Sequence, residues 1–243
     1  LSEMQATLRH SEKPPAELQA QIDEKVAELA PYVEKLAENP NALKVGSRLF
    51  LQNCAVCHGS NAKGAAGYPN LTDNDWLYGG EAANILTTLH NGRVGGMTAW
   101  RDQIGEDGVR AVSEYVLSIS GNQPGYELDK AKVTQGEAIF NEPTNCVLCH
   151  GPDAKGMTST GAPNLTDKIW LYGGDRETIR ETVRYGRAGV MPEWETKLGN
   201  ERIMLLAAYV YSLSDRSAQP AKAKTVSAPA PQAATTATAT AET

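Results

Sequence analysis

Cys54-Ala55-Val56-Cys57-His58-Gly59 is written again 92 positions later as Cys146-Val147-Leu148-Cys149-His150-Gly151. The repetition extends outward from these two strings. Pro69-Asn70-Leu71-Thr72-Asp73 returns as Pro163-Asn164-Leu165-Thr166-Asp167, now 94 positions on. Trp76-Leu77-Tyr78-Gly79-Gly80 returns as Trp170-Leu171-Tyr172-Gly173-Gly174, Gly92-Arg93 as Gly186-Arg187, Met97 as Met191 and Trp100 as Trp194. A two-residue insertion between the His and the Pro accounts for the change of offset. Self-similarity at a fixed period marks tandem copies of one structural unit, so the 243 residues divide into two units rather than one large domain.

Each unit opens and closes with an apolar-periodic segment. Leu43 to Leu51 and Val133 to Phe140 hold Gly46 and Phe50, or Gly136 and Phe140, four apart on one helical face. Val109 to Ile119 and Ile203 to Leu213 carry Tyr115 and Tyr209 at matching positions. A glycine four residues before an aromatic lets another helix approach closely beside a ring. The expectation is that the first and last helices of each unit cross there.

All four cysteines lie in the two C-x-x-C-H strings, the pattern of c-type haem attachment. Positions i and i+3 of a helical turn share a face, so both thiols of a motif can reach the two vinyl groups of one porphyrin. The following His then turns its imidazole toward the iron. A structural zinc site would need two more ligands per motif, a thioredoxin-like dithiol needs no adjacent His, and two disulfides would leave the repeated His-Gly without a role. The reading is two haem c groups, held covalently by Cys54 and Cys57 and by Cys146 and Cys149, with His58 and His150 as axial ligands.

An axial imidazole needs an acceptor for its second nitrogen. Pro69 and Pro163, 11 and 13 residues after the histidines, are the candidates through their backbone carbonyls; the alternative is that they only punctuate a turn. For the sixth ligand the chain offers His10, His90, Met4, Met97, Met157, Met191 and Met204. Only Met97 and Met191 stand at equivalent repeat positions, and both follow Gly-rich segments suited to close approach to a porphyrin. A lone Met is more often core filler, which would leave the iron open. Each unit holds a helix, a haem motif, a Met loop and a helix, so the simpler reading gives each Met to its own unit, although an exchange is geometrically allowed. Arg93, Arg187, Trp76, Trp170, Tyr78 and Tyr172 are either partners of haem propionates or packing residues. Asp73, Asp75 and Asp167 read as turn residues, and nothing forms an acid-base pair or a nucleophile constellation.

The composition agrees with a cofactor that completes the core. Hydrophobic residues make up 41%, yet Phe50 and Phe140 are the only phenylalanines. Units of under about 100 residues with few large aromatics need a staple, and a porphyrin is an apolar one. The formal net charge is -6, and residues 1–40 hold eight acids against four bases. The nearly balanced remainder offers no basic face for nucleic acid. The longest apolar stretch, Ile203 to Leu213, is 11 residues and reads as a buried helix rather than a membrane span. The chain begins at Leu1 with no basic n-region or apolar h-region, so the expectation is either that a leader or anchor has been removed or that this is an excised soluble portion, the chain itself being soluble. Leu18, Ile22, Val26, Leu29 and Val33 recur at helical spacing before Asn39-Pro40. The Ala, Pro and Thr rich stretch from Pro220 is expected to be disordered.

These strings resemble tandem class I cytochrome c domains. More narrowly, Asn-Cys-x-x-Cys-His-Gly, Lys-Gly-Ala, Pro-Asn-Leu-Thr-Asp, Trp-Leu-Tyr-Gly-Gly and Gly-Arg-x-Gly-x-Met resemble subunit III of the cbb3-type cytochrome c oxidases, over roughly residues 12–216. The resemblance implies a mainly α fold in which a few helices surround each covalently bound haem. Its divisions are a helical connector at 1–40, cytochrome c domains at 41–122 and 123–216, and a tail at 217–243. It implies a relay, not an enzyme on its own, that takes single electrons from a donor cytochrome c toward a monohaem subunit and the oxygen-reducing catalytic subunit of the respiratory chain. The setting implied is the periplasmic side of the inner membrane of a Gram-negative bacterium, with attachment through a segment absent from this chain. The alternative is a soluble dihaem periplasmic shuttle. Thr98 stands where the family usually has Pro, as at Pro192, which implies a looser Met97 loop.

Overall fold

The computed structural model describes residues 16–121 and 127–214. The expected tail, Met4 and His10 lie outside the described residues. Helix α1 (Ala16–Leu36) buries Val26 and Val33, two of the predicted apolar positions. Helix α2 (Pro40–Asn53) starts where Asn39 caps the backbone amides of Asn41 and Ala42, with Pro40 in the first turn, where its missing N–H costs nothing. The single-turn helix α3 (Ala55–His58) carries the first haem motif. It is followed by α4 (Ala82–Asn91), strand β1 (Arg93–Met97) and α5 (Arg101–Ile119). The second repeat reads α6 (Lys130–Phe140), α7 (Val147–His150), α8 (Arg176–Tyr185), β2 (Arg187–Met191), α9 (Glu195–Leu198) and α10 (Asn200–Ser212). Gly105 breaks α5 at a positive φ just where Gly199 separates α9 from α10, so the repeats match there too.

The expectation that each unit's own first and last helices cross is corrected by the structure. Gly46 on α2 faces Leu205 and Tyr209 of α10, and Gly136 on α6 faces Ala111 and Tyr115 of α5. The predicted glycine and aromatic contacts are made, but with the other repeat. Phe50 lies 5.5 Å from Tyr209, and Phe140 lies 5.3 Å from Tyr115, between ring centroids. The cause is the route of the chain after α4 and α8. β1 and β2 pair antiparallel, with Arg93 opposite Met191 and Met97 opposite Arg187, and so carry each terminal helix across to the other side. Reciprocal backbone bonds secure the crossing: the Trp194 amide donates to Leu89 (2.9 Å) and the Trp100 amide donates to Val183 (3.0 Å).

Two cores result, and they do not coincide with the two repeats. The first gathers Val26, Val33, Phe50, Cys54, Ile85, Leu86 and Leu89 with Ile203, Leu206 and Val210. The second gathers Val109, Val112, Val116 and Leu117 with Phe140, Cys146, Ile179 and Val183. The loops after the two motifs also meet. Tyr78 packs against Gly161, Tyr172 against Gly67, and the Gly67 amide donates to Leu171 at 2.7 Å.

Candidate haem sites

Cys54 ends α2, where its amide closes the last turn on Phe50, and the next turn brings Cys57 and His58 into place. Cys146, Cys149 and His150 are arranged alike around α7. Cys54 and Cys146 are buried, Cys57 is half-buried and Cys149 is exposed. Burial pushes the Cys54 and Cys146 thiols up to about 11, so they are protonated at neutral pH before any bond to carbon is made.

The imidazoles are both buried, at 7% exposure. His58 Nδ1 is 3.1 Å from the Pro69 carbonyl oxygen, and His150 Nδ1 is 3.1 Å from that of Pro163. A carbonyl can only accept, so Nδ1 carries the proton and donates, which leaves Nε2 as the nitrogen with a free lone pair. Burial lowers both histidine pKa values, against the opposing effect of the carbonyl, and holds the rings in the neutral form that binds metal.

Met97 and Met191 are brought to these motifs crosswise. Met191 and Trp194 pack on the core that holds Cys54, whereas Met97 and Trp100 pack on the core that holds Cys146. The simpler grouping of each Met with its own unit is corrected at the level of packing: the ribbon carries each onto the core that holds a cysteine of the other repeat. Met204 packs on the first core, Met157 sits in the inserted loop bonded to Ala162, and His90 lies 3.4 Å from Glu195.

The polar residues around the motifs are held in matched pairs. Arg93 Nε donates to Thr88 Oγ1 (3.0 Å) with its guanidinium 4.6 Å from the Tyr78 ring centroid, and Arg187 repeats this on Thr182 (2.9 Å) and Tyr172 (4.6 Å). The Trp170 Nε1 is buried without a hydrogen-bond partner. A buried indole donor with nothing to bond, packed on the core that holds Cys146, fits a porphyrin whose propionate would accept from it. Among the described residues no three His, Cys, Asp or Glu side chains converge to hold a metal ion by themselves, as a zinc centre would require.

Two features escaped the sequence reading. Arg93, Gly95 and Met97 alternate along β1 and are matched by Arg187, Gly189 and Met191, a period of two that signals strands. The stacking of each Arg on its Tyr had no local signal, because the two lie 15 residues apart.

A two-core helical fold with a C-x-x-C-H turn, a carbonyl-supported His and a Met strand at each core defines a tandem cytochrome c. The family model for cytochrome c oxidase, cbb3-type, subunit III, matches residues 41–116 and again 131–210, and the chain belongs to that family. A CcoP subunit of cbb3-type cytochrome c oxidase from Rubrivivax gelatinosus is 42% identical over 210 residues, 82% of this chain and 66% of the relative. The corresponding CcoP of Rhodobacter capsulatus is 40% identical over 82% of this chain and 72% of its own length. A FixP subunit from Bradyrhizobium sp. (strain ORS 278) is 47% identical over 69% of this chain and 60% of its own. The chain thus spans about two thirds of the length of these relatives, and cytochrome c domains of this family imply covalently bound haem c.

Proposed function

We propose that the chain is the two-haem electron relay of a cbb3-type oxidase, accepting single electrons from a donor cytochrome c and passing them toward the monohaem and oxygen-reducing subunits. The observation that carries this reading is that one repeat brings to each core a Cys-x-x-Cys-His turn, with Cys54 or Cys146 in the core and a buried neutral His, while the other repeat brings a Met onto that core. Cys54, Cys57, His58 and Met191 would hold one haem, and Cys146, Cys149, His150 and Met97 the other. The bound groups supply one-electron redox chemistry at a potential that His/Met ligation raises. The protein's own part is to fix each imidazole through Pro69 or Pro163, to keep it neutral by burial, and to shield the site with Phe50 and Tyr209 or Phe140 and Tyr115.

This subunit works on the periplasmic side of the inner membrane of a Gram-negative cell. No helix among the described residues is long and apolar enough to cross a membrane, so attachment rests on neighbouring subunits or on sequence beyond those residues. The test is direct. Chain matured in the periplasm should carry two haems by mass and by pyridine haemochrome, and should transfer electrons from reduced cytochrome c to an oxidase lacking its dihaem subunit. One haem per chain, or no restored flow, would overturn it.

A further inference from the structure

At three equivalent positions of the two helix crossings, small or apolar residues in one stand where charged residues stand in the other. In the first core Ala208 on α10 shares one buried cluster with Ala82 and Leu86 of α4. The equivalent positions in the second core are Glu114 on α5 and Arg176 and Arg180 on α8. Glu114 is 3% exposed. Its Oε1 lies 2.8 Å from Arg176 Nε and 3.4 Å from Arg180 Nη2, and Arg176 Nη2 donates to Glu114 Oε2 (3.1 Å) and to the Glu127 carbonyl (3.0 Å). Arg184 adds a two-pronged pair with Glu106, its Nη2 2.7 Å from Oε2, between the same two helices.

Each terminal helix offers the same tyrosine, and each first helix the same glycine and phenylalanine. Those residues alone allow either terminal helix on either core. Seated within its own repeat, Glu114 would lie against Ala82 and Leu86 with no cation, while Arg176 and Arg180 would face Ala208 and lose the Glu114 carboxylate, Arg180 keeping only the exposed Glu177 of its own helix (2.6 Å). An acid buried without a partner is strongly disfavoured, whereas a satisfied buried ion pair adds little net stability and acts mainly by excluding wrong pairings. We infer that Glu114, Arg176 and Arg180 form a specificity lock that seats each terminal helix on the core of the other repeat, and so determines which Met reaches which Cys-x-x-Cys-His motif. The lock concerns helix pairing and stands apart from the electron-relay reading.

The experiment uses the full, haem-matured chain in its reduced state and reads proton contacts from Gly46 by NMR. The parent should show contacts to Tyr209 alone. The neutral variant Glu114→Ala/Arg176→Ala/Arg180→Leu carries at these three positions the residues of the first core; it should show Gly46 contacts to both Tyr209 and Tyr115, in two populations. Moving the acid to the other terminal helix, in Glu114→Ala/Ala208→Glu, should replace the Tyr209 contacts by Tyr115 contacts. A neutral variant that keeps the single Tyr209 set would show that the ribbon alone sets the pairing and would overturn the lock. So would a neutral variant that does not fold, or an acid-transfer variant that retains Tyr209.

Discussion

Met191 and Arg93 are cross-strand partners in the ribbon, as are Met97 and Arg187. Each arginine stays tied to its own repeat through Thr88 or Thr182, while the methionine beside it packs on the core of that same repeat. On the proposed ligation, Met191→Ala should open the iron held by Cys54, Cys57 and His58, and leave the other untouched. Reduced Met191→Ala protein should bind one carbon monoxide per chain and lose amide-exchange protection around residues 50–58. Loss of protection around 140–150 instead would place Met191 on the other motif.

The helix crossings give a stability prediction. A Cβ added at Gly46 would come within 2.6 Å of Tyr209 Cβ, and one at Gly136 within 2.9 Å of Tyr115 Cβ, closer than such atoms pack. Gly46→Ala and Gly136→Ala should each cost about 1–3 kcal/mol, the range for overpacking a tight contact. Urea unfolding of the haem-loaded chain measures this. An unchanged midpoint in either variant would mean that its helix pair does not meet at the glycine.

These crossings also show where sequence reading stopped. Gly46, Phe50 and Tyr209 could be picked out because four-residue spacing defines a helical face. The choice of partner could not, because Tyr115 and Tyr209 are the same residue in the same local context. Cys54, His58 and Pro69 were legible because the chemistry constrains a short string. Glu114 was not, since an acid in an amphipathic helix reads as solvated until its neighbours, 62 and 66 residues away, are known.

Acids from both repeats meet at the loop interface. Asp75 accompanies Asp73, which accepts from its amide (3.1 Å), beside a cavity of about 70 Å³ that the second repeat closes with Lys155 to Thr158 and Ala162 to Asn164. Burial, then the charges of Asp167 and Asp73, raises the Asp75 carboxyl from 3.8 to about 6. Between those pH values the folded chain holds a proton that the unfolded chain has released, so this group's contribution to stability falls as pH rises and stays low above about 6. Asp75→Asn should therefore be more stable than the parent at pH 7.5, with the gap narrowing toward pH 4. Denaturant midpoints across that range are the measurement, and a gap that widens on acidification would show that Asp75 is stabilised as the anion.

The last prediction concerns what the chain does by itself. If His58 with Met191 and His150 with Met97 fill both axial positions, neither oxygen nor peroxide has a place to bind, and single-electron exchange is all that remains. The isolated, haem-loaded chain should show low-spin spectra in both oxidation states and take up one electron per haem. Stopped-flow mixing of the reduced chain with carbon monoxide should give only slow, partial binding, limited by loss of a methionine. Replacing Met191 by His should lower one of the two potentials, because a second imidazole donates more strongly than a thioether; each shift of about 59 mV is tenfold in a one-electron equilibrium. Electron flow from cytochrome c into the oxidase should slow in that variant without any change in the oxygen-reducing core. Rapid, stoichiometric binding of carbon monoxide by the parent chain would reveal an open iron and turn the reading toward an enzyme, and an unchanged redox titration of Met191→His would remove that methionine from the ligand set.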